Sequence, residues 1–339
     1  MKSFFAVVFS MGLGALPMFA QVPGAVDQVD KFQQQRERSQ TVTTGEGETA
    51  PELFSGETSD VGPQSVLRLK PRRSWFEAQA DVQYYFTDDL FPEAASGKLA
   101  SAVVLSTVQL AVAPTPFEAP CGSYAPRVGY RHQWFSFGLP GDDYLAYDPL
   151  ASAFVDRPLS DFDFNVSTAF ADLTWSHEHW LAQIGFDLQR LLTSSDYDEF
   201  YREYVPRWRL QRSFAVCEKS ALAIGYEGNY RFTDDAGAFV SDYNDRTDHS
   251  LYATYTYALS SHAVIQPYYR FKYTRFADYF GQDRNDTLHS FGLGLYWLVC
   301  PNFNVRFFGG YEVRNSDVSF VRDYNRFDVG GGLNVNVRF

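Results

Sequence analysis

Basic residues recur two or four positions apart in this chain: Arg127 with Arg131, Arg207 with Arg209, and Arg270 with Lys272. In an extended strand, side chains two apart leave the same face, so each set would present its cations side by side. Arg231 and Arg306 sit in similar alternating runs, and Asp187 and Glu227 bring carboxylates to equivalent positions. Turned inward around a common axis, such faces would guide anions or polar solutes through a constriction, as charged rings do in pores. Paired across neighbouring strands, the same charges would neutralise one another and fill the interior. Sequence leaves both readings open.

The elements that must position these residues are strands. From Ser74 onward the chain divides into about twelve alternating segments of roughly 12 to 16 residues, longer than the globular norm of about 5 to 6. They are expected at 74–87, 99–112, 125–137, 161–175, 179–192, 200–215, 220–233, 248–259, 263–276, 287–299, 303–314 and 326–339. In the first, Phe76, Ala78, Ala80, Val82, Tyr84 and Phe86 share one face opposite Glu77, Gln79, Asp81 and Gln83. The composition agrees: aromatics make up 17% of the chain, yet mean hydropathy is only -0.28, so apolar residues are interleaved with polar ones. Beyond the first twenty residues nothing approaches the roughly 18 consecutive apolar residues of a membrane helix. Any membrane would be crossed by strands.

Long connections, such as Gly138 to Ser160 and Asp234 to Thr247, alternate with tight turns at Ser176 to Glu178, Ser260 to His262 and Cys300 to Asn302. Only Ala113 to Tyr124 is long where a turn is expected. Tyr84, Phe86, Trp134, Trp175, Trp180, Tyr204, Trp208, Tyr269, Tyr273 and Trp297 gather near strand ends, as an interfacial girdle would require. The last segment alternates without a break from Arg326 and stops on Phe339. This ending resembles the final strand of bacterial outer-membrane β-barrels, porin-like in type. The resemblance implies an all-β fold: a single transmembrane antiparallel up-and-down barrel of about 12 strands in the outer membrane. It also implies that the barrel-assembly machinery reads the strand ending at Phe339.

Within such a barrel the alternation turns Arg127, Arg131, Arg207, Arg209, Arg231, Arg270, Lys272, Arg306, Asp187 and Glu227 to the lumen as pore-lining candidates. Asp163 and Glu203 are among the further acidic candidates, and Tyr85, Tyr252, Tyr268, Tyr296 and Phe308 are inward aromatics that either stack against solutes or pack the interior. Asp142, Asp143, Asp148, Asp234, Asp235, Asp242, Asp245 and Asp248 fall in presumed external loops, where carboxylates can share divalent cations with lipid headgroups.

Catalysis fits less well. The outer-membrane phospholipase resembles this chain in strand number, but its His and Ser stand two apart on one strand. Here His249 and Ser250, and His289 and Ser290, are adjacent, so each pair points to opposite faces and cannot form a nucleophile-to-base hydrogen bond. Asp88, Asp89 and His249 are a loose echo of omptin-type proteases. Cys121, Cys217 and Cys300 have no metal-ligand spacing, and three cysteines allow at most one bridge. The chain is read as a non-enzyme with no cofactor and no metal.

The N-terminus reads as a secretory signal over 1–20, with Lys2 before an apolar core from Phe4 to Leu16. Residues 21–73 form a polar tail, read as flexible and periplasmic, with a short polar helix possible over Val26 to Arg38; folding into the lumen as a plug is the alternative. The barrel is expected over 74–339. A net charge of -12 with no basic stripe argues against nucleic-acid partners; the expected partners are outer-membrane lipid, small solutes and the assembly machinery. The tail is too short and polar for an autotransporter passenger. Two functions stand: a passive channel for small polar or anionic solutes, and a closed structural or adhesive barrel acting through its long loops.

Overall fold

The computed structural model describes residues 26, 28, 29, 75–90, 98–138, 143–148, 153–235, 244–279, 282–319 and 321–339. The signal and most of the tail lie outside these residues. Fifteen strands follow in order. They are β1 (Phe76–Thr87), β2 (Ser101–Val112), β3 (Phe117–Ala119), β4 (Gly122–Phe137), β5 (Asp143–Asp148), β6 (Ala153–Pro158), β7 (Phe164–His177), β8 (Trp180–Thr193), β9 (Glu199–Cys217), β10 (Ser220–Asp235), β11 (Arg246–Ala258), β12 (Ala263–Tyr279), β13 (Gln282–Cys300), β14 (Phe303–Ser316) and β15 (Tyr324–Arg338).

Thirteen of them form one antiparallel sheet. β3 pairs only with β4, and the other twelve close into a ring because β1 bonds to both β2 and β15. Closure leaves no sheet edge, so the backbone N–H and C=O groups are satisfied within the ladder. Each of the twelve expected segments corresponds to a barrel strand. The long connection from Ala113 to Tyr124 has a structural cause: β3 folds back on the start of β4 as a small hairpin. The segment between β4 and β7 holds the β5–β6 hairpin and a short 3-10 helix, Leu159–Phe162.

The barrel is inverted relative to a soluble one. On β1, Glu77, Gln79, Asp81 and Gln83 are buried inside, while Phe76, Val82, Tyr84 and Phe86 are exposed outside. On β15, Arg326, Asp328 and Asn334 face in, and Phe327, Val329, Leu333, Val335 and Val337 face out. A continuous exposed apolar wall of this extent is stable only against lipid. One end carries the tight turns and the terminal pairing of Phe339 with Trp75 and Phe76; the other carries the long connections. These are called the turn end and the loop end.

The main apolar cluster inside the barrel lies at the loop end. Tyr85, Leu105, Phe135, Phe137, Phe164, Val166, Leu191 and Tyr201 meet there, with Leu159 and Phe162 of the 3-10 helix laid over them. Two tail residues, Val26 and Val29, join this cluster, and Gln28 is bonded beside them. Val26, Gln28 and Val29 are helical and at most 1% exposed, and the Tyr85 hydroxyl donates to Gln28 Oε1 at 3.1 Å.

Candidate functional site

The lumen is a lattice of charge pairs. Arg306 reaches Asp81 at 2.7 Å, Arg127 reaches Glu77 at 3.0 Å, and Arg326 bonds Glu312. On the opposite side, Arg207 is held between Asp172 and Asp187, Arg209 and Arg270 share Glu227, and Arg231 links Glu203 to Asp248. Arg209 and Arg326 stand directly opposite their carboxylates, while Arg306, Arg127, Arg270 and the Arg207 contact to Asp172 reach across an intervening strand, so the inward alternation of long charged side chains builds the lattice.

All ten candidate residues stand on the inner face. Asp187, Arg207, Arg209, Glu227, Arg231, Arg270 and Lys272 converge on one cavity of about 70 Å³, together with Gln183, Gln189, Asn229 and Asp248. Arg306 and Arg127 are engaged elsewhere, and the Arg131 guanidinium lies 6.0 Å from the centre of the Phe170 ring. Burial of the inward side chains changes along β9. Tyr201, Glu203 and Val205, toward the loop end, are buried, whereas Arg207, Arg209, Gln211 and Ser213, toward the turn end, are partly exposed. Among the described residues the inner face of β9 grows more exposed toward the turn end, and the apolar cluster lies toward the loop end.

Two acidic assignments change. Asp248 is not a loop residue: β11 begins at Arg246, and Asp248 sits inside, accepting from Arg231 at 3.2 Å and from the Thr274 hydroxyl at 2.6 Å. Asp163 does not line the lumen, because β7 begins only at Phe164; its carboxylate accepts the Phe137 N–H at 2.7 Å beside the 3-10 helix. Burial there pushes its pKa up to about 6, reinforced by Asp161 and opposed by the Phe137 hydrogen bond. Asp172 and Arg246 also join the lattice. Their inward parity was readable, but only strand pairing shows that Asp172 shares Arg207 with Asp187.

The adjacent His–Ser pairs diverge as strand geometry requires. His249 faces out and contacts the Tyr226 hydroxyl at 2.7 Å, while Ser250 faces in and accepts from Arg270. His289 meets Tyr269 outside, and Ser290 donates to Glu312 inside. Sequence gave no sign of a cross-strand pair: His132 Nδ1 lies 2.9 Å from Ser167 Oγ, and the Tyr130 hydroxyl donates to the same oxygen. On a lipid-facing wall these contacts satisfy polar atoms that would otherwise go unbonded. Cys121, Cys217 and Cys300 are free and exposed.

No family model matches the chain, and no curated protein matches it. Among solved structures it is similar to an outer-membrane channel from Pseudomonas putida F1, at 11% identity and a TM-score of 0.49 over 83% of this chain and 99% of that one. It is similar to the β domain of the Bordetella autotransporter BrkA, at 13% identity and a TM-score of 0.45 over 76% and 98%. It is also similar to the KdgM porin in complex with oligogalacturonate, at 14% identity and a TM-score of 0.37 over 76% and 98%. At these scores the assignment of the chain as a closed twelve-stranded antiparallel barrel rests on its own strand register, in which β1 bonds β15.

Proposed function

We propose that the protein spans the bacterial outer membrane, with its turn end toward the periplasm, and admits small anionic solutes to its lumen. The observation that supports this most directly is the cavity where Arg207, Arg209, Arg231, Arg270 and Lys272 converge, with Arg207 and Arg209 on its partly exposed side. Each arginine there already has a carboxylate partner, so an entering anion exchanges one ion pair for another rather than meeting a bare charge. Such exchange keeps binding weak enough for release, which conduction requires. In the state described, the apolar cluster closes the loop end.

The test is ion preference under a salt gradient across a planar bilayer. Anion preference is expected for the channel, and R207E/R209E shifts the reversal potential toward cations. Unchanged selectivity in a folded, inserted double variant would remove these arginines from the conducting path. A second reading, a closed barrel acting through its loops, is favoured by the near-complete burial of Asp81, Arg306, Arg326 and Asp328. It predicts silence in the same bilayer whatever the variant.

A further inference from the structure

The outer wall carries one row of polar residues at the loop-end margin of its apolar face. Cross-strand register aligns His132 with Ser167, Ser167 with Arg190, Arg190 with Arg202, and Arg202 with Asp234. One step toward the turn end, the same five strands present Tyr130, Ala169, Leu188, Tyr204 and Phe232. The row therefore stands where hydrocarbon gives way to headgroups, just above an aromatic belt.

Arg190 and Arg202 are directly opposite each other on β8 and β9. Like charges in that relation destabilise a strand pair. A single carboxylate, Glu199, ties the two: Arg190 bonds it through Nε, and Arg202 through Nη2 at 2.6 Å. Using Nε keeps Glu199 off the two terminal nitrogens of Arg190, whose side chain is 46% exposed, while Arg202 also bonds the Tyr204 side chain one step down the wall. Asp234 beside Arg202 and Glu199 between the pair balance the two cations, so the site holds no surplus charge; what it offers is a fixed fork of donors. A planar guanidinium held this way matches the oxygens of a phosphate, and the mutually bonded His132, Ser167 and Tyr130 continue the polar row beside it.

We infer that Arg190 and Arg202 form a lateral clamp for a phosphate carried on the headgroup of an outer-leaflet lipid. The inference rests on the membrane-spanning reading proposed above. The test refolds the full mature protein into phosphatidylcholine vesicles with or without a diphosphorylated glycolipid of the lipid A type. Insertion is read from protection of the barrel against protease, and retained glycolipid from native mass spectrometry after gentle extraction. Wild type should insert in both vesicles and retain the glycolipid, R190Q/R202Q should insert equally and retain about tenfold less, the loss of roughly one charge-assisted hydrogen bond, and E199Q should retain at least as much as wild type. Equal retention by R190Q/R202Q, or displacement of the glycolipid by an equal concentration of inorganic phosphate, overturns the clamp. Failure of wild type to insert in either vesicle overturns the membrane reading instead.

Discussion

Glu203 shows how much single residues carry in a lumen without a hydrocarbon core. It is fully buried, bonded to Arg231, accepts from the Tyr201 hydroxyl at 2.6 Å, and lies 3.6 Å from Arg246. Its removal leaves Asp248 as the one carboxylate beside two buried guanidiniums, so E203A should destabilise the barrel by about 3–5 kcal/mol, read as a lower urea midpoint in detergent. A cost near zero would mean that water replaces the carboxylate and that this part of the lumen is already wet. Asp163 makes the opposite kind of contribution. Its folded pKa of about 6 lies above the ordinary carboxylate value near ~3.9, so it favours the native loop when protonated. That contribution is fully present below about pH 4 and is lost as pH rises through about 6. The protection factor of the Phe137 amide, which removes the intrinsic pH dependence of exchange, should fall across this window by the equivalent of about 1 kcal/mol, the discount reflecting Asp163's partial exposure. D163N, which keeps an acceptor for the Phe137 N–H, should show no such change.

Among the elements, the seam between β1 and β15 is the most demanding. Gly330 pairs with Tyr85, and a methyl group there would come within 2.5 Å of the Tyr84 carbonyl oxygen and 2.3 Å of the Tyr85 Cβ. G330A should therefore slow or block ring closure, seen as a lower folded fraction by heat-modifiable mobility, whereas a substitution at the roomier Gly309 should not. The twelve barrel strands were legible in the sequence because each must alternate over its whole length to put lipid on one side and charge on the other. β3, β5 and β6 were not, since three- to six-residue pairings at a rim face neither lipid nor lumen and carry no sustained period. The inner-face list was legible by parity for the same reason that the strands were. Its partners were not: which carboxylate meets Arg207, or which serine meets His132, depends on register between strands, and no single strand records it. Asp248 was misplaced because an aspartate near a loop reads as solvated until Arg231 and Thr274 are seen around it.

At the scale of the whole molecule, the barrel is polarised along its axis. A cavity lined by arginines and their carboxylate partners sits part-way along it, and the loop end holds an apolar cluster that includes Val26 and Val29. Twelve strands lie between the roughly eight that close on their own side chains and the 16 to 18 that leave an open channel, so the interior contents decide whether solute passes. Carboxylates introduced into the cluster would be desolvated against Leu105, Phe135 and Leu191, and their burial cost of several kcal/mol exceeds what two buried valines contribute. The most direct test is single-channel conductance of the mature protein beside V26D/V29D, both shown to be folded and inserted. Rare, small openings are expected for wild type, and stable, anion-preferring steps for the variant. Silence from both, or steps without anion preference from the variant, would contradict a solute path closed at its loop end.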